Sequence, residues 1–150
     1  MNKRLRIAVA DDELDMRDYF TRILPRLGHE VAFVAENGRQ LVDFCRSSPP
    51  DLVITDIRMP ELDGIEASLA INAVRPTPVI LVSAFHDERS IQRAEDDHVE
   101  AYLVKPIKQA DLKTAIALSM RHFEQRWAGR QDRPSEPKGG EREQNRSAEN

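Results

Sequence analysis

Short apolar segments alternate with amphipathic segments along most of the chain. Five of the apolar segments are four to six residues long and rich in valine and isoleucine. They are almost continuously apolar, which is typical of strands that are buried on both faces of a parallel sheet. The five predicted strands are Leu5–Ala10, Val31–Ala35, Leu52–Thr55, Val79–Val82 and Ala101–Val104.

The segments between these strands have the spacing of amphipathic helices. Phe20, Ile23 and Leu27 share one face of the first helix, and Leu112 and Ile116 share a face of the last. Five strands alternating with five helices predict βαβ units and a doubly wound α/β fold. We expect a flavodoxin-like, five-stranded parallel sheet with the strand order 2-1-3-4-5 and helices on both faces.

The composition changes near the end of the chain. Between residues 129 and 150 the only apolar side chain is Ala148, among five basic and five acidic residues. Such a segment buries too little apolar surface to offset the entropy cost of ordering. We therefore predict one domain over residues 1–128, followed by a disordered polar tail over residues 129–150.

Composition and charge narrow the class of protein. The chain has 150 residues and a formal charge of −4, which disfavours a domain that clamps a nucleic-acid backbone. Cys45 is the single cysteine, so an intrachain disulfide and a cysteine-rich zinc site are excluded. The apolar runs are far shorter than the roughly 20 residues of a membrane helix, and the N-terminus lacks the pattern of a signal peptide. We expect a cytoplasmic protein that does not contact a membrane.

Polar residues follow four of the five predicted strands. Asp11 and Asp12 follow the first strand, Asp56 the third, Ser83 the fourth and Lys105 the fifth. The carboxyl ends of parallel strands meet at one edge of the sheet, where open α/β sheets bind their ligands. The strand order places strands one and three side by side. We therefore expect the three aspartates to lie within a few ångströms of one another.

Three clustered carboxylates repel each other unless a cation lies among them. Oxygen ligands without nitrogen or sulfur suit Mg²⁺, with Mn²⁺ as the alternative, and Mg²⁺ commonly bridges to a phosphate. An aspartate beside the metal can act as a nucleophile and form an acyl phosphate. Lys105 and the Ser83 hydroxyl would then stabilise the new phosphoryl oxygens. The combination indicates phosphoryl transfer.

These residues resemble the motifs of response-regulator receiver domains of two-component signalling, the fold of the chemotaxis receiver. The matching motifs are Asp11-Asp12, the segment 56–64 (DIRMPELDG), Ser83-Ala84 and Lys105-Pro106. The resemblance covers roughly residues 4–125. Spacings of 44, 27 and 22 residues separate Asp12, Asp56, Ser83 and Lys105, and this ordered set is far more specific than any one motif.

The resemblance implies a role for each matching residue. Asp56 would accept a phosphoryl group from a histidine kinase or a histidine phosphotransfer protein. Asp11, Asp12, Asp56 and the backbone carbonyl of Arg58 would hold the metal. The Lys105–Pro106 peptide bond would be cis. Activity would be limited to self-catalysed phosphorylation and dephosphorylation, so the chain would not be a classical enzyme.

The resemblance also implies an output mechanism. Ser83 and the switch aromatic Tyr102 would couple the phosphorylation site to a surface formed by the fourth predicted helix, strand five and the fifth helix. This surface would bind a downstream protein or a second copy of the chain.

Two other functions remain open from the sequence. The chain could be an interaction module that does not cycle phosphate. Alternatively, it could be a relative of RNA-binding antiterminator regulators, because residues 113–123 resemble the last helix of their receivers. The acidic composition and the polar segment in place of an output domain count against RNA binding. We therefore favour a stand-alone phosphoacceptor switch.

Overall fold

The computed structural model describes the backbone of residues 3–84 and 99–131, with side chains as far as Trp127. The predicted fourth helix lies outside these residues. The strands are β1 (Arg6–Ala10), β2 (Glu30–Ala35), β3 (Leu52–Asp56), β4 (Val79–Ser83) and β5 (Val99–Val104). The described helices are α1 (Leu14–Arg26), α2 (Gly38–Ser47), α3 (Gly64–Val74) and α4 (Gln109–Gln131), and α4 corresponds to the fifth predicted helix.

All five strands are parallel and lie in the order β2-β1-β3-β4-β5. This is the flavodoxin-like order expected from the sequence, and the prediction of the fold class is confirmed. Strands β1 and β3 are direct neighbours, with Ala10 opposite Thr55. Asp11 and Asp56 therefore follow or end adjacent strands at the same edge of the sheet.

The core has two parts because helices cover both faces of the sheet. Alternate residues of β1 point to opposite sides. Ala8 and Ala10 pack with apolar residues of α2 and α3, whereas Ile7 and Val9 pack with α1 and the first half of α4. The central strand β3 is buried along its whole length. The prediction of strands buried on both faces is therefore confirmed for the centre of the sheet.

Local signals in the sequence explain where several helices begin and end. Asn37 caps α2 by accepting a hydrogen bond at Oδ1 from the backbone N–H of Gln40, at 2.9 Å. Asp63 and Glu66 form a reciprocal capping box at the start of α3. Pro25 lies in the last turn of α1, which ends at Arg26.

The described residues divide into two units, one ending at Met120 and the other beginning at Arg121. The first unit contains the whole sheet. In the described part of the second, the rings of Phe123 and Trp127 meet edge to face, with centroids 6.2 Å apart. Helix α4 continues to Gln131, so the first three residues of the predicted tail are helical. The boundary after residue 128 and the disorder of the tail remain predictions.

Candidate functional site

The candidate site lies at the carboxyl edge of the sheet. Backbone hydrogen bonds between the strands continue into the residues at the strand ends whose side chains form the site. The Asp11 N–H donates to the Ala35 carbonyl at 3.1 Å, and the Lys105 N–H donates to the Ser83 carbonyl at 2.8 Å. The backbone at three of these strand ends is thus held by the sheet itself.

These strand ends surround a cavity of about 250 Å³. It is lined by Asp12, Glu13, Asp56, Ile57, Arg58, Ser83, Ala84 and Lys105. The structure therefore brings together Asp12, Asp56, Arg58, Ser83 and Lys105, which the sequence placed at one edge. Asp11 lies beneath them and is almost completely buried, with 1% of its surface exposed.

The three aspartates form one cluster. Asp11, Asp12 and Asp56 each offer a carboxylate oxygen, and these oxygens all lie within 4.8 Å of one another. Hard oxygen donors at this spacing, two of them on largely buried side chains, fit a divalent cation that prefers oxygen ligands. The cluster could therefore hold a metal ion.

Lys105 supplies the positive charge next to this cluster. Its Nζ lies 3.0 Å from Glu13 Oε1, 3.1 Å from Asp11 Oδ2 and 3.7 Å from Asp56 Oδ2. Burial lowers the pKa of Lys105, but the hydrogen bonds and charges of these carboxylates outweigh burial and raise it above its ordinary value. Lys105 is therefore fully protonated at neutral pH.

Asp56 is held in an unfavourable environment for a negative charge. Its pKa is raised to about 6, mainly by burial and also by the neighbouring charge of Asp11, while Lys105 opposes both effects. Its Oδ1 accepts a hydrogen bond from the Ile57 N–H at 2.9 Å. Burial also raises the pKa of Asp11, against a hydrogen bond from the Glu13 N–H and the charge of Lys105. A cation among these carboxylates would relieve this repulsion.

The loop after β3 is fixed by close backbone contacts. The Gly64 N–H donates to the Ile57 carbonyl at 2.7 Å. A Cβ on Gly64 would lie 2.1 Å from the backbone oxygen of Asp56, so any other residue would require the backbone to shift. Glu61 has a positive φ of 73° within the same loop. Arg58, which belongs to this loop, lines the cavity.

Ser83 and Tyr102 occupy different parts of the edge. Ser83 ends β4 and lines the cavity. Tyr102 lies on β5 opposite Leu81, two residues before Val104, the register partner of Ser83. Its side chain is 38% exposed and it is absent from the cavity lining. The Lys105–Pro106 peptide bond, where β5 meets the site, is cis.

Glu13 is a site residue that the sequence analysis did not identify. It lines the cavity and contacts Lys105, although 63% of its side chain is exposed. The signal was present as a third acidic residue directly after Asp11 and Asp12. A long side chain at the start of a helix can point in several directions, however, so the sequence does not reveal that it reaches Lys105.

No helix in the described part of the chain combines the length and the apolar character needed to cross a bilayer.

Comparison with known proteins adds independent information. Residues 7–117 match the family model of the response regulator receiver domain. The chain is 36% identical over 118 residues to the transcriptional regulatory protein PdtaR of Mycobacterium tuberculosis, covering 79% of this chain and 58% of PdtaR. It is 33% identical over 112 residues to the chemotaxis protein CheY of Thermotoga maritima, covering 74% of this chain and 93% of that protein.

Solved structures give the same result. The receiver domain protein from Clostridium thermocellum superposes with a TM-score of 0.72 at 28% identity, covering 80% of this chain and 97% of that one. Sequence match, strand order and site geometry agree over the same residues. The chain therefore belongs to the response regulator receiver domain family, a class of signalling domains.

Proposed function

We propose that this chain is a phosphoacceptor switch that accepts a phosphoryl group on Asp56. One observation carries the proposal. The Asp56 carboxylate lies at the end of β3 on the wall of the cavity, clustered with two further carboxylates and with Lys105 Nζ 3.7 Å from its Oδ2. This arrangement offers a nucleophile, a cation site and a fixed positive charge within one cavity.

The donor would be a phosphohistidine of a histidine kinase or of a histidine phosphotransfer protein. A carboxylate oxygen of Asp56 forms a bond to phosphorus while the phosphorus–nitrogen bond breaks. The electron pair of that bond stays on the histidine nitrogen, which takes up a proton from solvent. The product is an acyl phosphate on Asp56 and a neutral histidine on the donor.

This chain's own residues would position and stabilise the phosphoryl group. The Lys105 ammonium is a compact charge that can donate to one phosphoryl oxygen, and the Ser83 hydroxyl can donate to another. Asp11, Asp12, Asp56 and the backbone carbonyl of Arg58 would hold Mg²⁺, or Mn²⁺ in its place. When bound, the metal neutralises charge on the transferring phosphoryl group. Hydrolysis of the acyl phosphate would reset the switch.

The output of the switch would be a change in its binding surface. We propose that it regulates a downstream protein or a second copy of itself rather than nucleic acid, because its formal charge of −4 disfavours binding to a nucleic-acid backbone. An interaction module that does not accept phosphate is the competing function.

Labelling with acetyl phosphate separates these functions. The intact chain should incorporate about one phosphoryl group in the presence of Mg²⁺ and none after chelation. Asp56→Asn should abolish labelling, because it replaces the nucleophilic carboxylate with a neutral amide. Asp43→Asn, an equal change on the exposed face of α2, is the matched control and should label normally. Intact-protein mass spectrometry measures both.

Two results would contradict the proposal. Absence of labelling in the parent chain would favour the module that does not accept phosphate. Undiminished labelling of Asp56→Asn would place the acceptor on another residue.

A further inference from the structure

Glu13 occupies a contact that a phosphorylated Asp56 would require. Lys105 Nζ makes a hydrogen bond of 3.0 Å to Glu13 Oε1, its shortest contact with an acidic group among the described residues. Its distance to Asp56 Oδ2 is longer, at 3.7 Å. The ammonium is thus held nearer to Glu13 than to the residue on which the phosphoryl group would form.

We propose that Glu13 is a positioning residue that competes with the phosphoryl group for Lys105, so that phosphorylation breaks the Glu13–Lys105 contact. This inference rests on the proposed function, because it assumes that a phosphoryl group forms on Asp56. Glu13 thereby favours the unphosphorylated state and limits how strongly the site holds a phosphoryl group.

Lys105 Nζ lies within hydrogen-bond distance of the Glu13 and Asp11 carboxylates, whereas Asp56 Oδ2 is farther away, at 3.7 Å. A phosphoryl group on Asp56 would draw the ammonium toward Asp56 and so away from one of the two nearer partners. Asp11 is buried, and losing its counter-charge would leave an uncompensated charge in the interior. Glu13 is 63% exposed, so its carboxylate can be solvated by water once the contact breaks. Glu13 is the partner whose release costs least.

The contact also depends on the length of the Glu13 side chain. The backbone of Glu13 is fixed, because its N–H donates to Asp11 Oδ1 at 2.9 Å. Aspartate at this position would keep the charge but shorten the side chain by one carbon–carbon bond, about 1.5 Å. It would therefore fail to reach Lys105. Glu13→Asp separates the effect of the contact from the effect of the charge.

Beryllofluoride, a phosphoryl mimic, is the probe that tests the competition. Its affinity is measured at saturating Mg²⁺ for the intact parent, Glu13→Gln, Glu13→Asp and Asp15→Asn. Both Glu13 variants should bind beryllofluoride about three- to tenfold more tightly, the range expected for loss of one charge-assisted contact at a partly exposed site. Asp15→Asn, which removes an exposed charge two residues along in α1, should resemble the parent.

A second readout follows Lys105 directly in the metal-free protein. The NMR resonance of the Lys105 ammonium should shift in both Glu13 variants and stay unchanged in Asp15→Asn. A merely structural role of Glu13 would not move this resonance selectively.

Each outcome decides the proposal. If the parent binds beryllofluoride and Glu13→Gln binds it equally well, the competition is wrong while the proposed function stands. If Glu13→Asp behaves like the parent, charge rather than the contact is responsible, and the competition is again overturned. Failure of the parent to bind beryllofluoride would overturn both proposals.

Discussion

His29 is a single residue whose protonation affects the stability of the fold. It lies between α1 and β2, and its Nδ1 accepts a hydrogen bond of 3.2 Å from the Leu5 N–H. Partial burial lowers the pKa of His29 below its ordinary value. A protonated Nδ1 cannot accept this bond, so the folded state favours neutral histidine.

This makes stability depend on pH in a definite direction. Below about pH 6.5, the unfolded chain binds a proton at His29 more readily than the folded chain, so the free energy of unfolding decreases as the pH falls. The variant His29→Asn keeps a hydrogen-bond acceptor near the Nδ1 position but does not titrate. Between pH 7.5 and 5.5, we expect its free energy of unfolding to fall by a few tenths of a kcal/mol less than that of the parent. The difference is small because solvent screens a half-exposed group.

Urea denaturation at both pH values measures the difference. Asp56 works in the opposite direction, because burial raises its pKa to about 6 and the folded state binds the proton more readily. Since Asp56 is present in both proteins, its contribution cancels in the comparison. An equal loss in the parent and in His29→Asn would show that His29 does not contribute.

Single residues also show how far the sequence could identify the site. Asp11, Asp56 and Lys105 follow or end apolar runs, so strand order alone brought them together correctly. Glu13 could not be found in this way, because its contact with Lys105 joins residues 92 positions apart and depends on a side-chain rotamer. Patterns in the sequence place backbones at an edge, but they do not orient long, exposed side chains.

At the scale of elements, the approach of α3 to β3 controls the geometry of the site. Gly64 begins α3, and a Cβ there would meet the backbone oxygen of Asp56 at 2.1 Å and the Ile57 Cα at 3.1 Å. These neighbours are backbone atoms of a buried strand end, which cannot move without moving Asp56. The helix and the acceptor residue are therefore coupled through one close contact.

We predict that Gly64→Ala destabilises the fold by about 1–3 kcal/mol, as overpacking typically does, and also slows labelling of the protein that remains folded. Gly28→Ala is the matched control. Gly28 has a φ of 92° with nothing within 4 Å of a new Cβ, so alanine strains the backbone there without touching the site. Thermal unfolding and acetyl phosphate labelling separate the two effects. Normal labelling of folded Gly64→Ala would show that the contact does not position Asp56.

Element boundaries show what the sequence pattern predicts well. Each predicted strand agrees with the structure to within two residues at either end. Helix α4 continues to Gln131, the third residue of the predicted tail. Polar residues are compatible with a helix, and Arg126 lies 5.8 Å from the centre of the Phe123 ring within this segment. Low apolar content therefore did not mark the end of the helix.

At the scale of the whole molecule, β5 connects the candidate site to an exposed edge of the sheet. β5 is an edge strand in the order β2-β1-β3-β4-β5, and it pairs with β4 from Val99 through Val104. Its Tyr102 and Val104 side chains are 38% and 39% exposed. Ser83, at the cavity, is the register partner of Val104. A displacement of Ser83 is therefore one strand pairing away from an exposed apolar surface.

We expect beryllofluoride with Mg²⁺ to change amide exchange in β5 and in the first half of α4. A dianionic group at Asp56 favours a new hydrogen bond from the Ser83 hydroxyl, and this bias shifts an existing equilibrium between two conformations. Tyr102→Ala should still bind beryllofluoride but lose most of the exchange response, because it removes the side chain proposed to transmit the shift. Ser83→Ala should reduce the response less.

Leu69→Ala is the control and should respond like the parent, because Leu69 is an exposed apolar residue on α3. An unchanged response in Tyr102→Ala, or no response at β5 in the parent, would exclude this route and place the output surface elsewhere.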